Sequence, residues 1–142
     1  MSLILSDLGA GELLRRALNN DFPVGGQDLT LHLYINDHTP QDTDTAATYS
    51  EASGGGYATK PLITGNWSIY NDAGIMAAAF AQQIFEFTGP LDLSATIYGY
   101  FVTDSAGTLL WAERAPAVFT PAVLGDIMRV TPEIQLSKGT PS

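Results

Sequence analysis

Alternation of apolar and polar residues with a period of two is the feature that most restricts this chain. Leu29, Leu31, Leu33 and Ile35 alternate with Thr30, His32, Tyr34 and Asn36. Leu93, Ala95, Ile97, Gly99 and Phe101 alternate with Ser94, Thr96, Tyr98, Tyr100 and Val102 in the stretch from Leu91 to Val102. That period places one row of side chains in a core and the other on the opposite face of a strand. Further strands are predicted over 66–70, with Trp67 and Ile69 on one face, and over 82–88, with Phe85 and Phe87 on one face. Residues 109–114, with Trp111 facing inward, form the partner of the strand ending at Val102, and 127–136 form a last strand interrupted at Pro132. A short strand over 57–60 is weakened at its edge by Pro61. Residues 75–81 fit a helix by propensity and a strand equally well.

Turn residues separate these segments. Asn71-Asp72-Ala73-Gly74, Gly89-Pro90, Asp104-Ser105-Ala106-Gly107 and Gly125-Asp126 each mark a reversal, and Gly107 is suited to a positive φ. Many short strands with turns between them predict an all-β fold, an antiparallel β-sandwich with a jelly-roll-like arrangement. One short helix precedes it, over about 10–19: Asp7 is a candidate cap, Leu14 and Leu18 share a face, Arg15 and Arg16 flank it, and Asn19 to Pro23 stop it. Two readings of that helix stay open, a lid on the domain's own core or an arm for a neighbouring subunit. The 142 residues are read as a single domain, with 1–27 an N-terminal arm and helix, 28–136 the sandwich and 137–142 a flexible tail. The expected core is Leu29, Leu31, Leu33, Ile35, Trp67, Phe85, Phe87, Ile97, Phe101 and Trp111.

Charge narrows the function. Six basic residues against fifteen acidic ones leave a net charge of −9, so the phosphate backbone of a nucleic acid and an anionic membrane surface are both poor partners. The longest apolar stretch, 74–81, is far too short to span a bilayer, and the apolar start Met1 to Leu5 lacks the pattern of a signal peptide. With no cysteine, disulfides, thiolate metal sites and cysteine nucleophiles are excluded.

No residue set carries recognisable chemistry. His32 and His38 lack the spacing of a zinc motif. Asp37, Asp42, Asp44 and Glu51 lie in a polar stretch, Asp37 to Gly56, and do not follow an EF-hand spacing; a solvated acidic loop, mobile or in contact with a partner, is the better reading. Gly54-Gly55-Gly56 is followed by no Lys-Ser or Lys-Thr pair, so it reads as a flexible loop rather than a phosphate cradle. Glu86, Glu113 and Glu133 have no glycosidase signature around them, and Ser50, Ser53, Ser68 and Ser105 lie in no nucleophile elbow. Tyr34, Tyr98 and Tyr100 fit a contact surface and a second covered face equally. No catalytic, cofactor-binding or metal residue is therefore assigned, and the chain is read as non-enzymatic and without a cofactor.

Several stretches taken in order resemble virion structural proteins of tailed bacteriophages. They are Leu29 to Asp37 followed by Pro40, then Gly55-Gly56-Tyr57-Ala58, Trp67, and Gln83 to Gly89. Ile97-Tyr98-Gly99-Tyr100-Phe101-Val102-Thr103-Asp104 and Gly107 to Glu113 are the most telling. The likeness covers about 29–136. Within that group the size and expected sandwich look like a capsid decoration (cement) protein. The resemblance implies a location on the virion capsid surface after synthesis in the host cytoplasm, the major capsid protein as partner, and a homo-oligomer on the particle. A tail or tail-fibre module is the alternative within the virion. A module that binds host glycans through Trp67 or Trp111 is the alternative outside it.

Overall fold

A computed structural model describes residues 3–19 and 28–136, apart from the side chains of Leu14, Arg15, Ala17, Leu18, Asn19 and Leu136. The Leu14/Leu18 face, the position of Arg15, the stop beyond Asn19 and the tail 137–142 fall outside what is described. The chain forms β1 (Leu3–Leu5), α1 (Asp7–Asn19), β2 (Leu29–Tyr34), β3 (Lys60–Leu62), β4 (Ser68–Asp72), β5 (Ile75–Ala79), β6 (Gln83–Glu86), β7 (Ile97–Thr103), β8 (Leu109–Phe119), β9 (Ile127–Val130) and β10 (Glu133–Leu136). The fold is all-β and sandwich-like with one helix. A five-stranded antiparallel sheet in the order β1-β8-β7-β2-β3 is accompanied by a three-stranded sheet, β10-β5-β4, and a two-stranded sheet, β6-β9.

Strand boundaries follow the local chemistry. Pro61 lies in β3, the edge of the large sheet, where a missing N–H costs no ladder bond. Pro132 ends β9, and the chain continues in a different sheet as β10. Residues 75–79 are strand, closed against β4 by the two-residue turn Ala73-Gly74, whose φ values are 50° and 90°. The β7–β8 turn is held by Asp104, whose Oδ1 accepts the N–H groups of Ala106 and Thr108, both at 2.9 Å, with Gly107 at φ 84° as expected.

Two expectations at strand ends are corrected. The segment from Leu91 does not begin as strand: Leu93 and Ser94 have φ 57° and 53°, which turns the chain and leaves Leu93 fully exposed. The cap of α1 is Ser6, not Asp7. Ser6 Oγ accepts the Gly9 N–H at 2.8 Å and donates to the carbonyl of Leu109 at 2.9 Å, so the same hydroxyl caps the helix and pins it to β8. Gly9 is required there: a Cβ would lie 2.0 Å from the Leu110 carbonyl oxygen. The helix thus lies on its own domain's sheet.

The core fills both faces of the central strands. Leu29, Leu31, Leu33, Ile97, Val102, Trp111, Phe85 and Phe87 form the main cluster with Tyr100; Ile35 and Trp67 pack on it half-buried. Phe101 is buried but belongs to a second cluster, with Tyr34, Tyr49, Leu109 and Ala112. Ile97 and Phe101 therefore fall on opposite sides, although their spacing predicts one face. The cause is a register break: Ile97 pairs with Phe119 whereas Gly99 pairs with Arg114. Tyr34 is completely buried and Tyr100 nearly so, which makes both core residues rather than contact residues.

Candidate functional site

The acidic segment after β2 is anchored rather than free. Ile35 N–H donates to the Ser50 carbonyl and Ala52 N–H to the Leu33 carbonyl, at 2.8 and 2.9 Å, so the chain leaves β2 and returns to it. Between these points Tyr49 inserts under the excursion, stacking on Phe101 with ring centres 5.2 Å apart and meeting Tyr34 edge-on at 4.9 Å. The buried Asp44 carboxylate fixes the turn: Oδ2 accepts the Tyr49 hydroxyl at 2.7 Å and the Gln41 N–H at 2.8 Å, and lies 2.7 Å from His38 Nε2. Burial alone would raise the Asp44 pKa, but these partners outweigh it and hold the carboxyl below its usual range. Burial, reinforced by Asp44, drives the Tyr49 phenol well up, and burial pushes Tyr34 up to about 12.

The other carboxylates of this segment face different partners. Asp37 binds Arg114 at 2.7 Å, and Arg114 also lies over the Tyr98 ring. Glu51 Oε1 lies 2.8 Å from His32 Nδ1 and accepts the Tyr57 hydroxyl at 2.9 Å. Among the described residues no group of three or more His, Asp or Glu converges as a metal site would require. The glycine run is close-packed, which corrects its reading as a flexible stretch. Gly54, Gly55 and Gly56 all have positive φ, and a Cβ on Gly55 would lie 2.7 Å from the carbonyl oxygens of Gly89 and Pro90.

His32 joins two strands. Its Nε2 is 2.8 Å from Thr103 Oγ1, and its ring stacks on Phe101 at 4.5 Å. The order hydroxyl, imidazole, carboxylate is that of a nucleophile relay. Here Thr103 is the last residue of β7 and is buried, and its bond to His32 ties β2, β7 and the returning segment together. Sequence reading missed this trio because it depends on the β2–β7 register, in which Thr30 faces Thr103 and His32 faces Phe101.

Two of the three glutamates meet in a groove of about 430 Å³ between β7, β8, β9 and β10. Tyr100, Glu113, Pro116, Met128, Arg129 and Glu133 line it. Burial raises the Glu113 pKa, opposed by a long 3.5 Å bond from the Tyr100 hydroxyl and reinforced by the Glu133 charge. Glu86 lies apart, on β6 opposite Ile127. Trp111 is buried and Trp67 is half-buried edge-on against it at 6.0 Å, so the indoles do not form an exposed stacking pair.

The most distinctive surface is an apolar turn that follows β8. No charged residue lies between Arg114 and Asp126, and Val118, Val123 and Leu124 are 54, 61 and 78% exposed. Pro121 is fully buried as an anchor, and Asp126 Oδ2 accepts the N–H groups of Ala122 and Val123 at 2.8 and 3.1 Å. Those two bonds hold the Asp126 carboxyl below its usual range. A bond of 2.7 Å between the Thr96 and Thr120 hydroxyls ties this turn to the one that presents Leu93. Leu93 is 101% exposed on a left-handed backbone, which is unfavourable for a non-glycine residue. Scattered apolar side chains on a surface are ordinary. Here the Asp126 carboxylate holds the turn that points Val123 and Leu124 outward, and the wholly exposed Leu93 follows the exposed Asp92.

No family model matches the sequence, and no curated protein or solved structure matches it.

Proposed function

We propose that the chain is a non-enzymatic structural protein of a tailed-bacteriophage virion, a decoration protein that cements the head shell. The observation that carries this reading is the pre-formed turn that exposes Val118, Val123 and Leu124, with no charged residue between Arg114 and Asp126 on a chain whose net charge is −9, tied through the Thr96 and Thr120 hydroxyls to the turn of the exposed Leu93. It is joined by the ordered resemblance of residues 29–136 to such proteins. A pre-formed apolar turn loses little conformational freedom on docking, so its buried area is converted efficiently into affinity. A contact made across a seam of the assembled shell stabilises that shell by mass action, because it binds the assembled state and not the separate subunits. The partner in this reading is the major capsid protein, and the chain sits in several copies on the capsid surface.

The test is co-sedimentation of the purified protein with shells that lack it, beside free capsid protein. Binding to shells and not to free subunits is expected, and Val123→Asp with Leu124→Asp should abolish it while the far-ultraviolet circular dichroism stays unchanged. Equal binding to free subunits, or none to shells, overturns the cementing role. Binding to tails in place of heads moves the chain to the tail-module alternative.

A further inference from the structure

We infer that strand β4 is a self-complementary edge through which two copies of this chain pair antiparallel, merging their three-stranded sheets into one. All five residues of β4 are exposed, and the strand ends its sheet with no neighbour on its free side among the described residues. Edge strands are ordinarily protected from such pairing by Lys, Pro, a bulge or a covering segment. Ser68-Ile69-Tyr70-Asn71-Asp72 has no Lys or Pro, and its pairing with β5 runs without a register shift.

The register fixes which backbone groups are available. The two-residue Ala73-Gly74 turn makes Asp72 and Ile75 the closing hydrogen-bonded pair. Counting back along an antiparallel ladder, Tyr70 and Ser68 also direct N–H and C=O toward β5, and those of Ile69 and Asn71 point outward. A two-fold axis at Tyr70 sets Ile69 of each copy opposite Asn71 of the other. Those are the positions with free groups, so each such pair exchanges both of its hydrogen bonds.

The side chains select a second copy as occupant. About the same axis Ser68 lies opposite Asp72, so a hydroxyl donor faces the only charged group on the strand. The two Asp72 carboxylates then stand at opposite ends, about 13 Å apart along the strands, beyond the screening length of about 8 Å at physiological salt. The two Tyr70 backbones meet at the closely spaced, non-hydrogen-bonded position, and each Tyr70 hydroxyl reaches back across β5 to Glu133, which leaves the edge itself uncovered. Ile69 and Met76, 69 and 42% exposed, share the sheet face that carries Trp67 and Phe80 into the core, and they overhang it. Pairing extends that apolar face across the axis. The inference does not rest on the shell-binding role, since it is measured without shells.

The chain has no cysteine, so a single Tyr70→Cys substitution places the only thiol on the proposed axis, where the Cα separation of about 4.5 Å permits a disulfide. Under mild oxidation Tyr70→Cys is expected to give covalent dimer many-fold faster than Ala47→Cys, an exposed position on the anchored segment. Sedimentation over a concentration series should show a dimer for the unaltered chain. Ile69→Pro, which removes an outward N–H, and Asn71→Asp, which keeps the oxygen that accepts the Gly74 N–H but adds like charge beside the axis, should both be monomeric with unchanged circular dichroism. The Val123→Asp, Leu124→Asp chain should still dimerise, which separates this inference from the decoration role. A monomer at all concentrations, or a dimer that survives both β4 variants with no preferential cross-linking at residue 70, overturns it.

Discussion

Two excursions from the central sheet meet opposite fates. The stretch between β2 and β3 has almost no regular structure, yet Tyr49 and Asp44 within it are buried and it covers one face of the sheet. The β4–β5 hairpin has full strand pairing, yet all of β4 is exposed. Regularity and anchorage are therefore separate properties. The first excursion is held by a few side chains that reach buried donors and acceptors, with Asp44 collecting three of them. The hairpin pairs β4 with β5 along its whole length but leaves the outer side of β4 open, and it has little that draws it down onto the core beyond Trp67 and Phe80.

The largest expected effect tests the floor of the anchored excursion. Phe101→Ala removes the ring on which both His32 and Tyr49 stack, and should cost about 3–5 kcal/mol in denaturant unfolding. A loss below about 1 kcal/mol would show that the excursion is held without it. Next, Asp44→Ala leaves the Tyr49 hydroxyl and Gln41 N–H without their acceptor and should cost about 2 kcal/mol, with faster amide exchange confined to residues 37–50. Uniform exchange across the domain would instead mean that excursion and sheet unfold as one.

Acid provides a third, smaller contrast. Asp44 has a lowered folded pKa, so its stabilisation is complete above the ordinary carboxylate range and is lost as pH falls below about 4. Glu113 has the opposite sign: its raised pKa penalises the charged native form, and that penalty is relieved as pH falls from neutral through its folded pKa. Glu113→Gln should therefore leave stability at pH 7 equal or higher and reduce the gain on mild acidification; thermal melts from pH 7 to 3 measure both. The smallest effect belongs to the hairpin. Ile69→Thr should change the stability of the isolated chain by no more than about 0.5 kcal/mol, and a larger loss would mean that the overhang is packed in solution.

The same contrast explains what could be read from the residues alone. β2 was legible because its alternation holds in the fold, β7 was legible as a strand though not in its facing, and eight of the ten expected core side chains are buried. Phe101 was placed on the wrong side because the β7–β8 register shifts between Ile97 and Gly99; the one mark of it in β7 is Gly99 itself, where a Cβ would overlap the Glu113 carbonyl oxygen. Leu93 looked like a strand residue because its period fits; a left-handed backbone at a leucine has no sequence signature. The anchored excursion read as a solvated loop because one tyrosine and one aspartate among polar residues do not stand out, and only tertiary contact distinguishes them from solvated ones. The turn after β8 was hidden for a related reason. Val118, Val123 and Leu124 lie in a proline-bracketed stretch with no period to orient it, and only the burial of Pro121 and the Asp126 clamp show which way the turn faces.

The edge strand β1 has a consequence in time. Its register partners, Trp111 to Glu113, lie more than a hundred residues further along the chain, and the Ser6 hydroxyl that caps α1 also binds the carbonyl of Leu109, 103 residues away. At a synthesis rate of about 5–20 residues per second, the first strand waits on the order of 5–20 s for its partner to emerge. During that interval the helix lacks the surface it lies on, and a helix of thirteen residues is marginal by itself in water. Residues 3–19 are made well before the surface on which they fold, and a nascent chain stalled before residue 109 should leave them open to protease.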